Sequence, residues 1–188
     1  AEEVYPEGLE PGVTPEMFDQ MTAAAADPAA LEAEFKRLAT EAADSGQYVG
    51  FGELSPLHYA LRRGHPDIRF PADHPWMLWL ADLAAARGLF LDLHLEATED
   101  SLAELDRLLA HNTETKVVWE HAGWSATGLA TPGVLEAALE AHPNLYLTLK
   151  LRDPETPESA AVYPLDDAGT VTPEWRALLE AWPGRIMV

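Results

Sequence analysis

From Gly46 onward, short apolar or β-branched runs alternate with stretches whose apolar residues recur at helical spacing. This is the pattern of repeated strand–helix units that build a parallel sheet. Strands are expected at residues 48–54, 89–95, 116–121, 145–151 and 185–188, with helices between them at 75–87, 99–111, 132–141 and 173–181. Each helix opens on Pro or on acidic residues, which suit a first turn whose N–H groups lack partners. An earlier helix at 28–43 follows Asp27-Pro28, a capping residue and a proline at the first helical position, and repeats Leu31, Phe35 and Leu38 at helical spacing. Residues 1–27 are rich in Pro, Gly and Glu and read as an irregular lead-in, which leaves 28–188 as the folded domain. The connections 55–74 and 152–172 are long for a compact domain and are expected to border a site.

Parallel strands covered on both faces are nearly all apolar, so ionisable residues inside them require a reason. Glu53 stands at the end of the first strand in GFGELSP; Asp92, His94 and Glu96 alternate on one face of LFLDLHLEA; Trp119 and His121 share a face of KVVWEHAGW, with His121 as the last strand residue. Thr148, Lys150 and Arg152 do the same in LYLTLKLR. Polar atoms therefore converge on the C-terminal ends of successive strands, where α/β proteins place their sites. Two imidazoles and a carboxylate are donors for Zn²⁺ or a similar divalent ion, which makes His94, His121 and Glu53 candidate metal ligands. Open positions on such an ion would hold a water that ionises near neutral pH.

Composition narrows the classes. With 32 acidic and 12 basic residues the formal net charge is −20, a field that repels polyanions and disfavours nucleic acid. The acidic residues spread along presumptive helix faces and read chiefly as a solvated surface. There is no cysteine, so thiolate metal sites and disulfides are excluded. No apolar run approaches the ~20 residues of a membrane helix and the N-terminal residues lack signal-peptide character, so a soluble chain is expected, either cytoplasmic or the mature part of an exported protein. GxSxG, phosphate-loop and GxGxxG motifs are absent, which argues against serine hydrolases, P-loop enzymes and dinucleotide binding.

The series GFGEL, LDLHLEA, WEHAGW, NLYLTLKLR and GRIMV, in this order and separated by helices, resembles the amidohydrolase superfamily, specifically the amidohydrolase-related group of hydrolases and decarboxylases. The resemblance covers about residues 46–188. It implies an α/β fold of (β/α)₈ TIM-barrel type, of which this chain would supply about five parallel strands, the fourth to the eighth. It matches His94 to the metal ligand of the fifth strand, His121 in its HAG motif to that of the sixth, and Glu53 to a glutamate near the end of the fourth.

What the resemblance implies for activity is hydrolysis of a small ester, lactone or amide, or decarboxylation of a small acid, with Zn²⁺ or Mn²⁺ as cofactor and a small-molecule substrate. A noncatalytic barrel remnant that binds a ligand or partner, and a TatD-like nuclease, are the competing readings; the charge of −20 counts against the nuclease.

The chain departs from the family pattern in having no HxH pair, and the family's catalytic Asp would fall beyond Val188. No catalytic base is therefore assigned within the chain. A fragment is expected, nearly inactive by itself and prone to associate through an exposed barrel edge. His58, Trp124, Lys150 and Arg152 are expected around a substrate, and Asp92 behind an imidazole as its orienting partner. His65 and His74 share the long loop with His58, whereas His111 and His142 sit at helix C-termini, where a cation suits the dipole.

Overall fold

The structure is a computed structural model and describes residues 27–59, 67–122, 127–151 and 163–188. The chain divides into two compact units, Ala1–Ser45 and Gly46–Val188. The described part of the first is helix α1 (Pro28–Asp44), capped by the Asp27 carboxylate, which accepts from the N–H groups of Ala29 and Ala30. Arg37 bridges Glu34 and Glu41 on its surface, and Lys36 pairs with Glu32.

The second unit is a six-stranded sheet with helices between the strands. In chain order it contains β1 (Gly50–His58), β2 (Ile68–Arg69), α2 (Pro75–Arg87), β3 (Phe90–Leu95), α3 (Glu99–His111), β4 (Lys116–Ala122), α4 (Pro132–Ala141), β5 (Leu145–Leu149), α5 (Pro173–Ala181) and β6 (Ile186–Met187). The sheet order is β2-β1-β3-β4-β5-β6, parallel throughout except for β2. This is the arrangement of a section of a (β/α)₈ barrel.

Each helix starts where its sequence predicts. His74 caps α2 through Nδ1, which accepts from the Trp76 N–H, and Gly88 ends that helix in the left-handed conformation at φ 69°. Thr98 and Ser101 form a reciprocal cap on α3, and Thr131 caps α4.

The expected loop 55–74 is partly strand. β1 runs past Leu54 to His58, and β2 folds back against it with Leu57 opposite Arg69 and His58 opposite Ile68. Pro56 conceals this extension, because proline usually ends a strand; here it falls where the register with β3 shifts, a position that tolerates the missing N–H. β2 itself is too short to show a period.

The two faces of the sheet differ. Leu91, Leu93, Leu95, Val117, Trp119, Leu145, Leu147 and Ile186 are all buried on one face, together with Leu80 of α2, Leu105, Leu108 and Leu109 of α3, Leu135 and Leu139 of α4, and Trp175 and Leu178 of α5. The opposite face carries Asp92, Val118 and Tyr146 in one row and His94, Glu120 and Thr148 near the next. Polar staples close the N-terminal side: the buried Asn144 amide donates to the carbonyls of Leu109, Asn112 and Thr115, and Arg185 donates to those of Leu139, His142, Pro143 and Leu145.

Candidate metal centre

Three strands adjacent in the sheet deliver the centre. Glu53 comes from β1, His94 from β3 and His121 from β4, and one donor atom from each lies within 4.8 Å of the others. Oε1 of Glu53 is 2.9 Å from Nδ1 of His94 and 3.9 Å from Nε2 of His121. The two imidazoles meet edge to face, with ring centroids 5.6 Å apart. His94 is buried, whereas Glu53 and His121 are partly open to solvent.

Simple alternation does not produce this cluster. His94 stands opposite Glu120 across the β3–β4 pair, so Glu120 belongs to the face of His94, while Trp119 lies buried on the helix side with its indole N–H on the Leu95 carbonyl at 2.9 Å. His121 would follow Trp119 to that side, as the sequence reading placed it. Instead its backbone turns into the left-handed region at φ 55°, within a register shift between Trp119 and Ala122, and the ring swings to the His94 face. The shared face expected for Trp119 and His121 is thus corrected. Thr148 on β5 holds the turned backbone, its hydroxyl accepting the His121 N–H at 3.0 Å and donating to the Glu120 carboxylate.

Glu53 depends on glycine. A Cβ on Gly52 would lie 2.4 Å from the Asp92 Cβ, and one on Gly50 would lie 2.7 Å from the Phe90 ring, so GFGE is the sequence that lets β1 approach β3 this closely. Gly52→Ala is expected to destabilise the unit by about 1–3 kcal/mol as β1 is pushed away, and to weaken any ligand of the Glu53 carboxylate. Chemical denaturation checks the first, and wild-type stability in the variant would count against the packing argument.

Burial pushes the His121 imidazole below its ordinary pKa; the Glu120 and Glu53 carboxylates work against that shift, and His94 and Lys150 add to it. The ring is therefore neutral at neutral pH, the form that offers a lone pair to a metal.

Asp92 lies deeper on the same face and meets the Glu120 carboxyl. Burial first, then the nearby charge and hydrogen bond of Glu120, raise its pKa to about 6. Folding therefore favours the protonated acid: the folded chain holds a proton that the unfolded chain releases near 3.8, so this group costs stability as pH rises through about 6 and costs none below the unfolded value. In chelator-treated protein, Asp92→Asn is expected to raise the melting temperature at pH 8, with the gain vanishing near pH 4. A lowered melting temperature at pH 8 would contradict this.

The other expected residues divide. His58 ends β1 rather than lying in a loop, and its ring centroid is 4.6 Å from that of His94. Lys150 follows β5 closely enough for its charge to act on His121. Trp124, Arg152 and His65 lie outside the described residues. His74 serves as a helix cap, His111 sits 3.1 Å from Asp82, and His142 sits 2.8 Å from Asp106. Glu96, Glu120 and Thr148 are the residues that sequence reasoning left without roles. A cleft of about 390 Å³ between the β1–β2 pair and the start of α3 is lined by Leu57, Arg69, Phe70, Ser101 and Glu104, and holds none of the cluster.

Residues 10–187 match the family model described as Amidohydrolase. The chain belongs to the amidohydrolase family. The match begins well before Gly46, where the motif series starts. Among solved structures, the chain is similar to the amidohydrolase 2 protein from Bifidobacterium longum subsp. infantis, at 21% identity and a TM-score of 0.40, over 60% of this chain and 39% of that one. The chain thus spans well under two thirds of that amidohydrolase. No curated protein matches it. Among the described residues, no helix is long and apolar enough to cross a membrane.

Proposed function

We propose that the chain binds one divalent cation, Zn²⁺ or Mn²⁺, and serves the hydrolysis of a small ester, lactone or amide, or the decarboxylation of a small acid. The observation that carries this reading is the convergence of Glu53, His94 and His121 from three strands adjacent in the sheet. The donors fit such an ion: two imidazoles and one carboxylate are the count and chemistry of a catalytic zinc site, which keeps a further position open. When bound, the ion supplies a water acidic enough to attack a carbonyl near neutral pH.

The residues of the chain fill the remaining roles. His94 is buried and fixes one donor, while His121, half exposed, faces the open side with Glu53. The His58 ring lies tilted beside that of His94, and Lys150 adds positive charge near His121, so a carbonyl or carboxylate oxygen would find a cationic neighbour there. Trp124 and Arg152 are proposed to complete the substrate side. The net charge of −20 favours a small substrate over a polyanion.

The test is metal content followed by turnover. Purified chain, loaded with Zn²⁺ or Mn²⁺ and desalted, is expected to retain about one ion per chain, and His94→Ala or His121→Ala to lose it. Turnover of lactones, esters or amides that stops with chelator supports the hydrolase. A retained ion without turnover across these substrates would support the metal centre but not catalysis by this chain alone, and no retained ion would refute the metal reading.

A further inference from the structure

We infer that Glu96 is a positioning residue that fixes which nitrogen of His94 faces the metal. The inference rests on the proposed metal centre and extends it to a buried carboxylate that the proposal does not use.

Glu96 follows β3 directly and is 3% exposed, less than any of the three proposed ligands. Its backbone is pinned on both sides: its N–H donates to the Leu57 carbonyl at 3.0 Å, and its carbonyl accepts from the Ser101 hydroxyl at 2.7 Å. The side chain therefore starts from a fixed point. Its Oε1 lies 3.9 Å from Nε2 of His94, on the side of the ring away from Nδ1, which faces Glu53 at 2.9 Å.

A neutral imidazole has one N–H and one lone pair. If Nδ1 gives its lone pair to a metal beside Glu53, the ring proton must reside on Nε2. His94 is 6% exposed, so that N–H is in a place where a missing acceptor costs free energy. Glu96 supplies the acceptor after a small closing movement. The pair Glu96–His94 then sets the tautomer and ring orientation in the manner of carboxylate–histidine–metal arrangements. In the metal-free chain, Nδ1 can instead hold the proton against Glu53. Glu96 thereby favours the metal-binding tautomer over the other.

The experiment is a Zn²⁺ titration of the full chain against a chromophoric chelator, for wild type, His94→Ala, Glu96→Ala and Glu96→Gln, each checked for folding by circular dichroism. Alongside it, the zinc-loaded wild type labelled with ¹⁵N-histidine reports the His94 tautomer by two-bond proton correlation. Glu96→Ala is expected to weaken zinc by about 10–100-fold. Glu96→Gln, which keeps an accepting oxygen, is expected to recover most of that loss, and His94 is expected to carry its proton on Nε2. If His94→Ala binds zinc as wild type does, the metal centre itself fails, and this inference with it. If His94→Ala loses zinc but Glu96→Ala does not, the inference alone is overturned. A Glu96→Gln variant as weak as the alanine would make Glu96 a direct ligand and also overturn it. Should Glu96→Ala not fold, the wild-type tautomer decides: a proton on Nδ1 in the zinc-loaded chain contradicts the role.

Discussion

Trp119→Ala is expected to cost about 3–5 kcal/mol of folding stability, the range for removing a large buried aromatic. The indole is 1% exposed among the helix-facing residues of the sheet, and its N–H satisfies the Leu95 carbonyl at the end of β3. Removing it opens a cavity between β4 and its covering helices and leaves that carbonyl without its donor. Domain stabilities of about 5–15 kcal/mol leave little reserve against such a loss, so partial unfolding at moderate temperature is expected. The site should suffer as well, because Trp119 anchors the strand just before the turn that swings His121. Urea denaturation followed by circular dichroism measures the loss. A change below about 1 kcal/mol would show that the indole is not part of a close-packed core.

His94→Ala carries the largest expected effect on ligand binding. His94 is the buried middle member of the cluster, 2.9 Å from Glu53 and edge-on to His121. Without it two partly exposed donors remain, which hold a divalent ion little better than a flexible pair does. Zinc affinity is expected to fall by at least about a hundredfold, beyond the 10–100-fold that supporting residues command. The His121→Ala loss should be of similar size, since the remaining pair is again only two donors. Competition with a chelator dye reads both. Wild-type affinity in either variant would remove that histidine from the centre.

The helices were legible because each carries its own start signal. Asp27-Pro28, Thr98 with Ser101, and Thr131-Pro132 cap their helices through local hydrogen bonds that need no distant partner. The leucine-rich strands were legible because alternate positions are apolar and buried on the helix-facing side of the sheet. The end of β1 was hidden by Pro56, whose strand conformation depends on the antiparallel return of β2, a contact between distant residues. His94 was legible as an ionisable residue near a strand end; Glu53 was legible as ionisable but was placed at the end of its strand, whereas β1 continues past it to His58. The orientation of His121 was not, because the left-handed turn at that residue depends on Thr148 across the sheet, and period-2 alternation points the other way. Glu96 was visible in the same alternation as His94. Its proximity to the far nitrogen of that ring needed coordinates.

Glu53, His94 and His121 are assigned as three side chains, from three strands, that share one ion. X-ray absorption spectroscopy of the zinc-loaded chain tests this most directly. It is expected to show two imidazole nitrogens at about 2.0–2.1 Å with the remaining positions filled by oxygen, and to lose one imidazole in His94→Ala and one in His121→Ala. An all-oxygen shell, or a two-imidazole shell that persists in both variants, would contradict the assignment of Glu53, His94 and His121 as a metal centre.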